Sequence, residues 1–282
     1  MRLISPRYLA EALGVSESSL KRWVDAGKIS AARTEGGHRR IELSEAVRFI
    51  RASGTPVLKP ELLDVPEVAS ARQHGDRLYD MLLEGDALAV RGWLIARYLE
   101  GDSLAKIADG PIRAAMHALG DLWRHDPQGV FVEHRATAVC LQAVAQLRSM
   151  VAETPATAPL GLGGAPGGDP YLLPSQLASM VVEEAGMRAV NLGPDTPLAA
   201  FDQAVAEHQP KLLWLSVTTA LAPARARAFA RWLGELPPTI AIVVGGQEAA
   251  TLSSVPPRVK RLTSMEELSA LAATLTRGRR KR

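Results

Sequence analysis

The run from Gly14 to Ile41, GVSESSLKRWVDAGKISAARTEGGHRRI, constrains the fold of this 282-residue chain more than any other stretch. Before it, Pro6 to Leu13 reads as a short helix: Ser5 is a suitable N-cap, Pro6 suits the first helical position, and Leu9, Ala12 and Leu13 form an apolar stripe. Gly14 supplies the backbone freedom for a tight turn, and Ser16 caps a second helix that ends at Gly27. On that helix Leu20, Trp23 and Val24 share one face, and Ser18, Ser19, Lys21 and Arg22 remain for solvent or a ligand, with Trp23 read as core. An apolar face that fixes a helix and a polar face that enters a major groove are the two requirements of a recognition helix. Two short strands, Ile29–Arg33 and Arg39–Ile41, flank Gly36-Gly37 and predict a hairpin whose tip gathers Arg33, His38, Arg39 and Arg40. Such a wing suits phosphate or the minor groove. A closing helix is expected from Leu43 to Ala52, started by Ser44.

Charge follows the same division. The chain carries a formal +3, but residues 1–54 hold ten Lys and Arg against six Asp and Glu, and five further cations lie in Arg277–Arg282. The remainder is therefore net acidic, as expected of a chain that offers one end to nucleic acid. The basic tail, 277–282, could add non-specific phosphate contacts. With 47% apolar residues the chain can bury real cores. Its one cysteine, Cys140, excludes an intramolecular disulfide. No signal-peptide pattern or membrane-length apolar run is evident, so a cytoplasmic location with no membrane partner is expected.

Beyond the first 54 residues, Pro56, Pro60 and Pro66 mark 55–69 as a linker with a docking turn rather than a coiled coil. Residues 70–153 read as a four-helix bundle, from Ala71–Glu84, Ala87–Glu100, Leu104–Arg124 (with Pro111 inside it) and Phe131–Val151. A Gly- and Pro-rich connection, 154–170, leads into an α/β segment, 171–276. There the strands Ala189–Leu192, Leu212–Val217 and Thr239–Val244 alternate with the helices Pro174–Glu184, Pro197–Glu207 and Pro223–Leu236. A first strand near Leu160–Gly164 is weakened by its own glycines, and a last strand and helix are expected at Val259–Leu262 and Met265–Leu275. Ligands of such sheets sit in the loops after the strands.

Val-Ser-x-x-x-Leu-x-Arg-Trp together with Arg-Thr-x-Gly-Gly-His-Arg-Arg resembles the winged helix of the MerR and excisionase-like regulators. A second resemblance lies in Trp123, nine intervening residues, then Glu133-His134. This looks like the Trp-x9-Glu-His motif of the light-sensing, cobalamin-dependent repressors of the CarH and LitR group, in which the bundle caps the upper face of adenosylcobalamin. Read from the residues alone, Trp123 is equally ordinary bundle core, and Glu133 and His134 an ordinary helix start. Three loops, with Asp195 in Leu-Gly-Pro-Asp-Thr-Pro, with Ser216 and Thr218, and with Gly245-Gly246, resemble the cobalamin-binding domain. The resemblance covers nearly the whole chain. It implies a multidomain α and α/β protein: a winged helix-turn-helix, a four-helix bundle, and a Rossmann-like parallel-sheet domain of the cobalamin-binding type.

One departure stands out. The family's lower ligand to cobalt comes from Asp-x-His-x-x-Gly, and here the stretch is Asp169-Pro170-Tyr171-Leu172-Leu173-Pro174. Imidazole is a good axial ligand near neutral pH, whereas a free phenol, with a pKa of about 10, is not. Tyr171 reads otherwise as a buried or half-buried aromatic. No His lies in residues 135–207, so no metal ligand is assigned. Three readings stay open: cobalamin with its own benzimidazole still on cobalt, another flat ligand such as a different tetrapyrrole, or no ligand and an assembly role. The chain is therefore expected to be a DNA-binding, homo-oligomeric transcription regulator and not an enzyme. The alternative is a DNA-docking scaffold whose cobalamin-like domain is empty.

Overall fold

The computed structural model describes residues 3–63, 65, 77–122, 129–252 and 255–277. Trp123, most of the tail and part of the 55–69 linker lie outside them. The chain divides into two compact units, Met1–Ser103 with Gly110–Ala152, and Leu104–Asp109 with Glu153–Arg282.

In the first unit the order is β1 (Leu3–Ile4), α1 (Pro6–Ala12), α2 (Glu17–Asp25), β2 (Ala32–Arg33), β3 (Arg39–Glu42) and α3 (Leu43–Ser53). Ser5 Oγ accepts from Tyr8 N and Ser16 Oγ from Ser19 N, so each serine satisfies a backbone donor that the start of its helix leaves free. Gly14 lies at φ 65°, where a side chain would be strained and would also meet Leu58. β3 is central in a three-stranded antiparallel sheet between β1 and β2. Leu9, Leu20, Ile29, Ile41 and Val47 form a buried core beneath it. Two expectations need correction. The first wing strand is confined to Ala32–Arg33, because Ser30 N is diverted to the Glu45 carboxylate. And α3 begins one residue before Ser44: Glu42 occupies the N-cap, and Ser44 is buried. The linker folds back on the module. Leu58 N and Lys59 N both donate to Ala12 O, Lys59 pairs with Glu11, and a short 3-10 turn, Pro60–Leu63, follows.

Four helices complete this unit: α4 (Arg77–Glu84), α5 (Ala87–Leu99), α7 (Arg113–Leu122) and α8 (Gly129–Arg148). α8 packs on α4, α5 and α7, burying Trp93, Leu94, Leu119, Val144 and Leu147. Arg51 of α3 donates to Tyr98 O of α5 at 2.9 Å and lies over the Tyr98 ring. Cys140 is buried on α8, and burial pushes its thiol up to about 12. The thiolate is the reactive form. A disulfide-exchange reagent at pH 8 is therefore expected to leave the folded chain unlabelled and to label it one-for-one in guanidinium; rapid labelling of the folded chain would contradict this burial.

The single helix expected over Leu104–Arg124 is not formed. It divides into α6 (Leu104–Ile107), a π segment (Ala108–Ile112) and α7. Pro111 has no N–H, and its ring collides with the carbonyl four residues back in a regular helix; a widened turn removes both conflicts. The break assigns α6 to the second unit, where Leu104 N donates to Glu184 and the Asp109 carboxylate accepts from Met265 N and Glu266 N.

The second unit alternates β4 (Leu160–Gly164), α9 (Leu172–Glu184), β5 (Arg188–Asn191), α10 (Leu198–His208), β6 (Leu212–Ser216), α11 (Pro223–Glu235), β7 (Ala241–Gly245), β8 (Lys260–Arg261) and α12 (Met265–Arg277). The sheet is parallel throughout, in the order β5-β4-β6-β7-β8. One face buries Leu162, Leu213, Leu215, Phe201, Phe229 and Trp232 under α10 and α11. The other lies beneath α9, which also packs on α12. The glycine-rich stretch that reads as a poor strand is fully buried within the sheet. The strand order reverses at β4, with β5 on one side and β6 on the other, so the carboxyl ends of β4 and β6 form the crevice where sheets of this kind take ligands.

Candidate nucleic-acid interface and ligand crevice

An open groove of about 500 Å³ in the first unit is lined by Arg7, Lys21, Arg33, His38, Arg39 and Arg40, with Glu17 as the one acidic side chain. Pairing of Arg33 with Arg39 and Ala32 with Arg40 sets the hairpin register, and Gly37 at φ 77° closes its turn. Lys21, Arg33 and His38 are exposed, and Arg40 is half-buried. Arg39 is engaged within the module: its Nη2 donates to Asp25 Oδ1 at 2.5 Å. The carboxylate at the end of α2 thereby fastens the wing to that helix. Arg22 donates to Ser19 Oγ, and Ser18 and Ser19 both bond the capping Ser16 hydroxyl, so these three residues form a polar cluster at the start of α2, outside the groove lining. Trp23 is half-buried against Phe49, with ring centroids 5.0 Å apart. Sequence reasoning missed Arg7 and Asp25. Arg7 had a signal, a cation in the first turn of a helix whose apolar stripe faces away from it. Asp25 had none, because its role depends on a contact fourteen residues distant.

At the carboxyl edge of the parallel sheet, Asp169 organises the loops. It is fully buried; Oδ1 accepts from Tyr171 N at 3.2 Å, and Oδ2 accepts from both Thr218 N and Thr219 N. Its carbonyl accepts from Asp195 N at 2.7 Å, while Asp195 Oδ1 accepts from Gly168 N at 2.6 Å. Asp195 itself sits at φ 48°. Ser216 is buried opposite Gly245, and Val217 N donates to Gly245 O. Gly246, at φ 104°, brings its loop so close to Val217 that a Cβ would stand 2.3 Å from the carbonyl oxygen. Asp169, Tyr171, Asp195, Ser216, Thr218, Gly245 and Gly246 thus gather at one edge. Tyr171 is more exposed than the buried or half-buried aromatic expected: it stands 47% exposed at the N-cap of α9. In the first unit, Glu133 and His134 are neighbours, with Nδ1 2.8 Å from Glu133 Oε2 and 2.9 Å from Val130 O. His134 is largely exposed, and Glu133 also accepts from Thr137.

These residues fit a corrinoid only in part. The Thr218 and Thr219 hydroxyls are buried without a partner among the described residues, as groups awaiting a polar ligand would be. The other features oppose lower ligation by the protein. No imidazole stands at 171, and His208 lies at the far end of α10, which runs back from the ligand edge. The Asp169 carboxylate, which could orient such an imidazole, is taken up by three backbone amides.

Residues 3–53 match the helix-turn-helix domain family, and residues 75–148 match the B12 binding domain family. The HTH-type transcriptional repressor CarA of Myxococcus xanthus is 26% identical over 235 residues, spanning 77% of this chain and 77% of the repressor. Among solved structures, the monomethylamine corrinoid protein of Methanosarcina barkeri superposes with a TM-score of 0.56 at 16% identity, over 72% of this chain and 99% of its own, a likeness of fold. The chain accordingly joins a helix-turn-helix domain to a helical domain of the B12-binding type, followed in sequence by a parallel α/β unit of Rossmann-like form.

Proposed function

We propose that this chain is a sequence-specific DNA-binding transcription regulator. The observation that carries the reading is the convergence of Arg7, Lys21, Arg33, His38 and Arg40 on one groove between recognition helix and wing. Ser18, Lys21 and Arg22 meet base edges in the major groove, while the wing and Arg7 hold phosphates. One module of this size reads a small half-site, so useful affinity requires two or more copies, and homo-oligomers of the chain supply them. The likeness to a named repressor supports the same reading. The α/β unit is the sensory part, with the Asp195, Thr218 and Gly245-Gly246 loops as its binding groups, and a cobalamin that keeps its own benzimidazole as the ligand. Ligand then shifts assembly by binding one assembly state better than another.

Asp169 favours a second reading, a DNA-docking scaffold whose α/β unit binds no ligand, because its carboxylate already fastens the loops to one another. Incubating the chain with adenosylcobalamin in the dark, followed by gel filtration and absorption spectroscopy, separates the two. A retained corrinoid with an altered elution volume is expected for the sensor. A colourless protein of unchanged size, still binding its operator, establishes the scaffold.

A further inference from the structure

Strand β4 exposes two glycines on one face, Gly161 and Gly163, and nothing of their own shields the backbone there. A Cβ at Gly163 would stand 2.2 to 2.4 Å from the Trp214 indole atoms Cδ2, Cε2 and Nε1, and one at Gly161 would meet the far edge of the same ring and Val182 of α9. The indole therefore lies flat along β4, its six-membered ring over Gly161 and its pyrrole ring over Gly163, beneath α9. Gly163 is flanked across the sheet by Asn191 and Trp214, and Asn191 Nδ2 reaches Ser175 of α9 at 3.4 Å. Trp214 is 2% exposed, yet its Nε1–H has no partner among the described residues. A tryptophan held for a polar contact has its N–H engaged; here the ring is held by its shape. Two glycines at a two-residue spacing, on a central strand at the point where the strand order reverses, form a shelf on which a flat bicycle can lie against backbone.

We infer that Trp214 is a specificity-determining plug: its indole occupies the glycine shelf and excludes the flat heteroaromatic base of a nucleotide-bearing ligand. Indole and benzimidazole are bicycles of one size, so a cobalamin whose benzimidazole had left the cobalt would find this slot filled by the protein's own side chain. Tyr171 points the same way from a separate observation. With tyrosine at 171, that position offers no imidazole to displace the benzimidazole from cobalt, and a displaced benzimidazole would have no place on the sheet. The inference concerns the α/β unit alone and stands whether or not the winged helix reads DNA.

The test uses the full chain with 5,6-dimethylbenzimidazole and indole as probes, followed by calorimetry and thermal melting. Wild type is expected to bind neither below millimolar concentration. W214A is expected to melt about 10 °C lower, to bind both probes one-to-one at least tenfold more tightly than wild type, and to recover several degrees on binding. Gly163→Ala reads the same contact without enlarging the slot: it is expected to lower the melting temperature of wild type and to leave that of W214A unchanged. Submillimolar binding of dimethylbenzimidazole by wild type would overturn the inference, as would a folded W214A that ignores both probes. If W214A does not fold, a G163A protein as stable as wild type overturns it equally, and a destabilised G163A supports it.

Discussion

Replacing Asp169 with alanine is expected to lower the unfolding free energy of the α/β unit by about 4 kcal/mol, since it strands the amides of Tyr171, Thr218 and Thr219 at roughly 1–3 kcal/mol each. Marginal stability makes that a large fraction of the total. The loss is concentrated where three loops meet, so amide exchange at 171, 218 and 219 is expected to accelerate well beyond that in β6 and β7. Asn is a poor substitute. Its amide can still accept from Tyr171 N, but the NH₂ group then faces two backbone donors. D169N is therefore expected to sit nearer to D169A than to wild type. Denaturation of all three proteins, followed by far-ultraviolet circular dichroism, measures the effect, with operator binding by the winged helix as an internal control. An unchanged midpoint in D169A would show that the loops hold without the carboxylate.

The acid that opens the Asp-x-His-x-x-Gly pattern in the resembling family is thus retained here as a staple, while the imidazole it would accompany is absent. An acid at 169 without an imidazole at 171 has a direct physical reading. A carboxylate that accepts three amides joins the loops after β4 and β6 whatever lies above them, and its backbone carbonyl joins the loop after β5. The crevice therefore keeps its shape without an imidazole at 171.

What could be read in advance follows the range of the interactions. Caps, turn glycines and the basic hairpin are local: Ser5 and Ser16 act within three residues, and Gly14 and Gly37 within their own turns. The alternation that marks the parallel sheet is likewise a property of short segments. The misreadings arise where a distant residue decides. Leu160–Gly164 looks too glycine-rich for a strand until Trp214, fifty residues on, is laid across it. Pro111 signals a disturbance, but whether it kinks, starts or widens the helix depends on where α6 finds partners, and those are α9 and α12. Strand β1 is two residues long and exists only because β3 offers it an edge. Arg39 reads from sequence as one more phosphate-gripping cation. Only the fold reveals that Asp25 already holds it.

That distinction separates the wing cations by their expected effect on DNA. Arg33→Ala with Arg40→Ala removes two groups lining the groove, and binding to the operator is expected to weaken about 100-fold at low salt, at roughly 1.5 kcal/mol per charge-assisted contact. The loss should be nearly uniform across sequences, and the slope of log K against log salt should flatten by about 2, close to one unit per phosphate released. Arg39→Ala should act differently. It frees Asp25 and loosens the wing from α2, so affinity falls while the salt slope changes little, and Asp25→Ala should reproduce the same loss. Arg22→Ala belongs to a third class: it stands on the exposed side of the recognition helix, and its removal should erase discrimination of roughly 1–3 kcal/mol at a single base pair. Titrations of the four proteins against operator and scrambled duplexes at several salt concentrations separate these outcomes. An R33A/R40A protein with an unaltered salt slope would mean that the wing touches no phosphate, and the groove would then need another occupant.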